Sequence, residues 1–205
     1  MGHPVTHCGI IILAAGESKR MGTPKQLLTY KGASLIARVA ETAVSTALQP
    51  IVVVLGANAD SIKTELTTAG LSIVLNDEWE EGMASSLRAG LNFITENNPL
   101  VDGVIILVAD QPHLTSMHLL QLLETQHKTG LPTAACTYQG KLGTPALFHK
   151  SCFPQLLALT GDTGARKILT DMNDMVAKLP FEKGIMDIDT KEDYIRLLNE
   201  NNAAS

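Results

Sequence analysis

Ile10-Ile11-Ile12-Leu13-Ala14-Ala15-Gly16-Glu17-Ser18-Lys19-Arg20-Met21-Gly22-Thr23-Pro24-Lys25-Gln26-Leu27-Leu28 is the stretch that decides the fold. It opens as an unbroken apolar run rich in β-branched residues, which predicts a strand buried on both faces, and it stops abruptly at Ala14-Ala15-Gly16. A strand that runs into small residues presents bare backbone N–H groups to whatever lies beyond its end. Gly16 and Gly22, the cations Lys19, Arg20 and Lys25, and the lack of a bulky side chain before Met21 suit the turn to a polyanion held against the backbone. A triphosphate is the guest it predicts.

The common phosphate loops do not fit. Five residues separate Gly16 from Gly22 where the Walker pattern has four, Thr23-Pro24 stands where Lys-Ser or Lys-Thr belongs, and no G-x-G-x-x-G occurs here. The segment instead closely resembles the L-A-A-G-x-S-x-R-M-G-x-P-K signature of MobA-like and MocA-like nucleotidyltransferases, above all the molybdenum cofactor cytidylyltransferase group. That resemblance implies a Rossmann-like sheet of the nucleotide-diphospho-sugar transferase type. It also implies a triphosphate held by Arg20, Lys25 and the backbone of Leu13, Ala14, Ala15 and Gly16.

With 205 residues and 45% hydrophobic content the chain can bury one substantial core, and a single domain is expected. A net charge of −5 leaves no basic surface for nucleic acid. Cys8, Cys136 and Cys152 are odd in number and far apart, which suits neither a disulfide framework nor a zinc site. With no basic leader and no apolar run of about 18 residues, a soluble cytoplasmic protein away from membranes is expected. The ends, 1–7 and 199–205, are expected to fray.

Further along, Ser34 is placed to cap a helix whose apolar positions (Leu35, Ile36, Val39, Ala40, Ala43) recur at helical spacing. Ile51 to Leu55 reads as a second buried strand, 60–68 as a short helix and Leu71 to Leu75 as a third strand. This alternation predicts an α/β fold, three-layered and doubly wound around a mostly parallel sheet, with ligands beyond the strands' carboxyl ends. A polar loop, 76–82, then turns into a helix through Gly82-Met83-Ala84-Ser85-Ser86. The resemblance extends here: the family's cytidylyltransferases carry a Gly and a Ser before an R-A-G-L helix that read the base, which implies base contacts at Gly82 and Ser86.

Val104 to Val108 is another buried strand, ending in Ala109-Asp110-Gln111-Pro112. A carboxylate just past a central parallel strand is placed to meet a cation, and the family uses the Asp of its similar D-Q-P turn to bind Mg²⁺, which implies that role for Asp110. Beyond residue 130, a strand 133–138, a Gln139-Gly140 turn and Gly143-Thr144-Pro145-Ala146-Leu147-Phe148 predict an antiparallel excursion. In the family a G-x-P-x-L-F segment lines the acceptor side and a G-D-x-G-A-R segment follows. Gly143, Pro145 and Arg166 are thereby expected near the acceptor. Residues 184–190 read as a short strand with Asp187 and Asp189 on one side, entering a helix capped by Thr190 and Asp193. Asp187 is expected as second metal ligand, from its match to the Asn of an N-I-N-T segment in the guanylyltransferase relatives.

The reaction implied is transfer of CMP from CTP to a phosphorylated acceptor, molybdenum-loaded molybdopterin, with release of pyrophosphate. A xanthine-dehydrogenase-type enzyme or its maturation factor is the expected downstream partner. An acceptor phosphate is already anionic at neutral pH, so no general base is needed, in keeping with six histidines that share no ligand spacing. Catalysis then rests on metal, cations and positioning, with Arg20, Lys25 and Asp110 as the catalytic residues. The guanylyltransferase relatives have Gly-Gly where this chain has Ala15-Gly16, so the Cβ of Ala15 is expected to crowd a purine's second ring. A cytidylyltransferase for methylerythritol phosphate is the runner-up. A glycosyltransferase reading of Asp187-Ile188-Asp189 places its D-x-D motif too near the C-terminus, and a non-catalytic molybdopterin carrier would bind nucleotide without turnover.

Overall fold

The computed structural model describes residues 4–18 and 21–203. The opening stretch forms β1 (Cys8–Leu13), buried throughout and paired in parallel on both edges, which is why it tolerates no polar side chain. Its partners are β4 (Ile51–Leu55) and β6 (Gly103–Val108), and β5 (Leu71–Leu75) adds in parallel beyond β4. A small hairpin, β2 (Thr29–Tyr30) and β3 (Ala33–Ser34), lies between β1 and the first helix. The C-terminal third contributes β7 (Thr133–Tyr138), β8 (Lys141–His149) and β9 (Val176–Pro180). Among the described residues the main sheet has seven strands in the order β5-β4-β1-β6-β8-β7-β9.

The antiparallel excursion is one strand inserted into the sheet. β8 runs against both β6 and β7, while β9 returns to the parallel direction beside β7. Because side chains alternate across a strand, odd and even positions feed two cores. Ile10, Ile12, Val53 and Ile105 pack under α1 (Leu35–Val44), α2 (Ala59–Lys63) and α4 (Ser116–Thr129). Ile11, Val52, Val54 and Ile106 pack under α3 (Met83–Asn97), α5 (Phe153–Leu157) and α6 (Arg166–Asp171). The fold is the three-layer, doubly wound α/β arrangement that the alternation predicts.

The caps follow the sequence as well. Ser34 Oγ accepts from the Ala37 N–H at 3.3 Å, and Thr190 with Asp193 caps α7 (Lys191–Ala203) through a Thr190 N–H to Asp193 Oδ2 bond of 2.9 Å. Two expectations fail. The helix expected at 60–68 ends at Lys63. No strand forms over 184–190: a 3-10 turn, Glu182–Ile185, leads into an irregular segment whose Ile188 N–H donates to the Asp110 carbonyl at 3.3 Å, so it is pinned to a loop rather than to a strand partner. Of the ends, 1–3 and 204–205 lie outside the described residues. Val5 is buried with its N–H on Gln126 Oε1 at 3.0 Å, Thr6 and His7 donate their N–H groups to Asp102, and α7 continues through Ala203. No helix among the described residues is long and apolar enough to cross a membrane.

Candidate active site

β1 ends at the carboxyl edge of the sheet, and Ala14-Ala15-Gly16-Glu17-Ser18 turn away there around the buried side chain of Gln26. Gln26 Nε2 donates to the carbonyls of Ala14 (3.1 Å) and Gly16 (2.9 Å), and the Ala15 carbonyl accepts from the Ala57 N–H at 3.0 Å. The loop's carbonyls are thus consumed on one side. The N–H groups of Ala15 and Gly16 meet no protein acceptor among the described residues, leaving donors for an anion. The loop lines a cavity of about 600 Å³ that also takes in Leu13, Lys25, Gly82, Ser86 and Asp110. All of these are among the residues the sequence singles out. Lys19 and Arg20 lie outside the described residues.

The far wall is the start of α3. Gly82 has φ +124°, a conformation open to glycine, and a Cβ there would lie 2.5 Å from the carbonyl carbon of Gly161. Ala84 N–H donates to the Gly161 carbonyl at 3.1 Å, and Gly161 N–H donates to Glu81 Oε1 at 3.2 Å. The G-D-x-G-A-R segment therefore docks on the Gly82 turn, and Asp162 joins the cavity lining. Trp79 lines it too, close to Ala15: a Cβ built on Gly56 would stand 2.5 Å from Trp79 Cβ and 2.9 Å from Ala15 Cβ. Ala15 and Trp79 therefore line the cavity side by side.

Asp110 closes the other end. Its Oδ2 pairs with the Lys25 ammonium, which also donates to Asp189 Oδ1 at 3.0 Å, while its buried Oδ1 has no hydrogen-bond partner. Burial works against the charge of Lys25, but the adjoining carboxylates of Asp110 and Asp189 outweigh it and hold the ammonium above the ordinary lysine range. Asp187, expected as second metal ligand, is not among the residues that line the cavity, but it feels the charges of Asp110, Lys25 and Asp189. Burial and then the negative charge of Asp110 push its carboxyl up to about 7, with Lys25 pulling the other way. Gln111 is the tether that brings this segment in: its Nε2 donates to the Thr144 carbonyl at 3.0 Å and the Gly184 carbonyl at 3.2 Å.

An orphaned, buried carboxylate oxygen beside a second carboxylate suits a hard cation. Among the described residues no three His, Cys, Asp or Glu side chains converge as a complete ligand set. The three residues expected on the acceptor side differ in burial. Gly143 and Pro145 are buried in β8, with the Tyr138 ring packed on Gly143, and neither lines the cavity. Arg166, at the start of α6, is exposed; its charge, with that of Asp187, reaches the Tyr138 phenol.

Residues 10–176 match the MobA-like NTP transferase domain. The chain belongs to that family. It is 31% identical to nicotine blue oxidoreductase of Paenarthrobacter nicotinovorans, over 92% of this chain and 95% of that one. It is 27% identical to the molybdenum cofactor cytidylyltransferase of Escherichia coli K12, over 90% and 92%. The crystal structure of Rv0371c from Mycobacterium tuberculosis in complex with manganese superposes with a TM-score of 0.79 at 25% identity, covering 95% of this chain and 99% of that one.

Within this MobA-like frame, sequence reasoning missed Gln26, Trp79, Gln111 and Asp162. Gln26 follows directly on Lys25 and Gln111 on Asp110, so both stood inside quoted motifs; their amides brace the site from behind. Asp162 also stood inside a quoted motif, G-D-x-G-A-R, but that motif pointed to the acceptor; the docking of Gly161 on Gly82, about 80 residues away in sequence, is what brings Asp162 to the cavity.

Proposed function

We propose that the chain moves CMP from CTP to a phosphorylated acceptor, molybdenum-loaded molybdopterin, and releases pyrophosphate. The observation that carries this reading is the juxtaposition of a donor-bearing backbone loop, a cation and a carboxylate with a free oxygen along one cavity at the sheet's carboxyl edge. An acceptor phosphate oxygen attacks the α-phosphorus, and the bond from that phosphorus to the bridging oxygen breaks as pyrophosphate departs. The oxygen needs no base at neutral pH.

Ala15 and Gly16 N–H groups, Lys25 and Arg20 bind the triphosphate. Asp110 and Asp187 hold Mg²⁺, which when bound offsets repulsion between the anions and the charge that develops on the pyrophosphate. Lys25 then exchanges carboxylate partners for phosphate oxygens. The acceptor enters past Arg166 on the β8 side, with Gly143 and Pro145 shaping the wall behind it. The manganese-bound neighbour and the Escherichia coli cytidylyltransferase support metal and base. The chain works as one domain in the cytoplasm, and its product goes to a xanthine-dehydrogenase-type enzyme or its maturation factor.

A second reading has one observation in its favour: the relative named nicotine blue oxidoreductase aligns over nearly the whole chain. Against it stands the absence of a dinucleotide G-x-G-x-x-G after β1. Incubation with CTP, Mg²⁺ and molybdenum-loaded molybdopterin, followed by mass spectrometry, separates the two. An acceptor heavier by one CMP supports nucleotidyl transfer. An unmodified acceptor, with consumption of NADH or NADPH in the presence of a dye, supports the oxidoreductase.

A further inference from the structure

Ser86 stands on the first turn of α3, buried against the cavity, and its hydroxyl is not free to choose its polarity. Asn76, buried just past β5, donates from Nδ2 to Ser86 Oγ at 2.9 Å and to Ser85 Oγ at 2.8 Å. The Asn76 amide cannot be turned over, because its Oδ1 accepts the Glu78 N–H at 3.1 Å. Ser85 spends its own proton on the carbonyls of Glu78 and Gly82, both at 2.9 Å. Ser86 Oγ is therefore an acceptor toward Asn76, and among the described residues its proton goes to no protein group. It remains for whatever occupies the cavity.

We infer that Asn76 is a positioning residue for base selection: by fixing Ser86 as a hydrogen-bond donor into the cavity, it favours cytosine over uracil. The inference rests on the nucleotide reading above and deepens it. The two pyrimidines share an acceptor at O2 and differ at N3, which accepts in cytosine and carries a proton in uracil. A donor held toward N3 pairs with cytosine and confronts the N3–H of uracil. A serine hydroxyl alone could rotate to suit either base; Asn76 occupies one lone pair, and with no protein acceptor for the proton among the described residues the hydroxyl is biased to donate into the cavity. Buried polar groups with fixed partners discriminate far better than apolar walls do.

Asn76→Asp inverts the device at nearly constant shape. A carboxylate there accepts from the Glu78 N–H, Ser85 and Ser86, which draws the Ser86 proton out of the cavity and leaves its lone pairs facing the base. The charge lies near the N-terminus of the long helix α3, where an anion is tolerated. Ser86→Ala is the second variant; it deletes the donor and leaves Asn76 its bonds to Ser85 Oγ and the Glu78 N–H.

The test is isothermal titration of CTP and of UTP, each with Mg²⁺, into wild type and both variants, with thermal melts as the check on folding. The expected result is a wild-type preference for CTP that falls roughly tenfold or more in Asn76→Asp and likewise in Ser86→Ala, a factor equivalent to about 1.4 kcal/mol, the scale of one hydrogen bond. An Asn76→Asp protein that loses CTP and UTP affinity by the same factor would make Asn76 merely structural and overturn the inference. So would a Ser86→Ala protein with unchanged preference, or a wild type with none. A wild type that binds neither nucleotide would instead defeat the proposed function itself.

Discussion

Lys25 and Asp110 form an ion pair that joins the N-terminal loop to the end of β6. The pair brings the cation that the sequence assigns to phosphate and the carboxylate it assigns to metal to one point. Because Lys25 keeps a second carboxylate partner in Asp189 at 3.0 Å, Asp110→Asn should leave the fold intact. It should nevertheless lower turnover by roughly 10²–10³, the cost typical of deleting one preorganised electrostatic stabiliser. Pyrophosphate release beside a thermal melt checks this, and near-wild-type turnover with Mg²⁺ would remove Asp110 from the mechanism.

Gly82 and Gly161 touch backbone to backbone, so a single methyl should disturb both loops. In Gly82→Ala the new Cβ meets Gly161 at 2.5 Å while the backbone holds φ +124°. A destabilisation of about 2 kcal/mol or more is expected from strain and overpacking together, with a larger fractional loss of CTP affinity than of stability. Denaturant melts and CTP titration give the two numbers. A variant with wild-type CTP binding would show that the docked Gly161 turn is not part of the nucleotide site.

Base size is the third expectation. CTP should exceed GTP in kcat/KM by tenfold or more, from a clash on the order of 1–3 kcal/mol at the wall that Ala15 shares with Trp79. Since the wall is shared, Ala15→Gly should recover only part of the GTP activity, and Ala15→Gly combined with Trp79→Ala should recover more. Equal kcat/KM for the two nucleotides in the wild type would refute the steric account.

Stability should depend on pH through His118. Burial lowers its imidazole pKa, and its Nδ1 accepts the Thr115 N–H at 3.2 Å at the start of α4, a bond that protonation destroys. The unfolded ring titrates near its ordinary value of about 6.5 and the folded ring below it, so the unfolded state binds more protons in between. The contribution to stability is thus complete above about pH 6.5 and is lost as pH falls through the folded value. His118→Gln retains a capping acceptor without the titration and should flatten this slope in urea melts between pH 8 and 5. Parallel slopes for the two proteins would contradict the assignment.

The parallel half of the fold was legible because buried strands with helices on both faces leave unbroken apolar runs, as at Ile51 to Leu55 and Val104 to Val108. The place of β8 between β6 and β7 was not legible, since a hairpin's sequence signals its turn and not its neighbours in the sheet. Residues 184–190 alternate like a strand but find no strand partner, and tertiary bonds from Gln111 and to Asp110 decide their path. In the site, the loop residues and Asp110 could be read because backbone and motif coincide. Asp162 and Trp79 could not, because loop against loop contacts place them.

Pyrophosphate release with each nucleoside triphosphate, Mg²⁺ and molybdenum-loaded molybdopterin is the most direct measurement of the central claim. Stoichiometric release with CTP that needs both metal and acceptor is the predicted result. No release with any triphosphate, from a folded protein given loaded acceptor, would contradict nucleotidyl transfer.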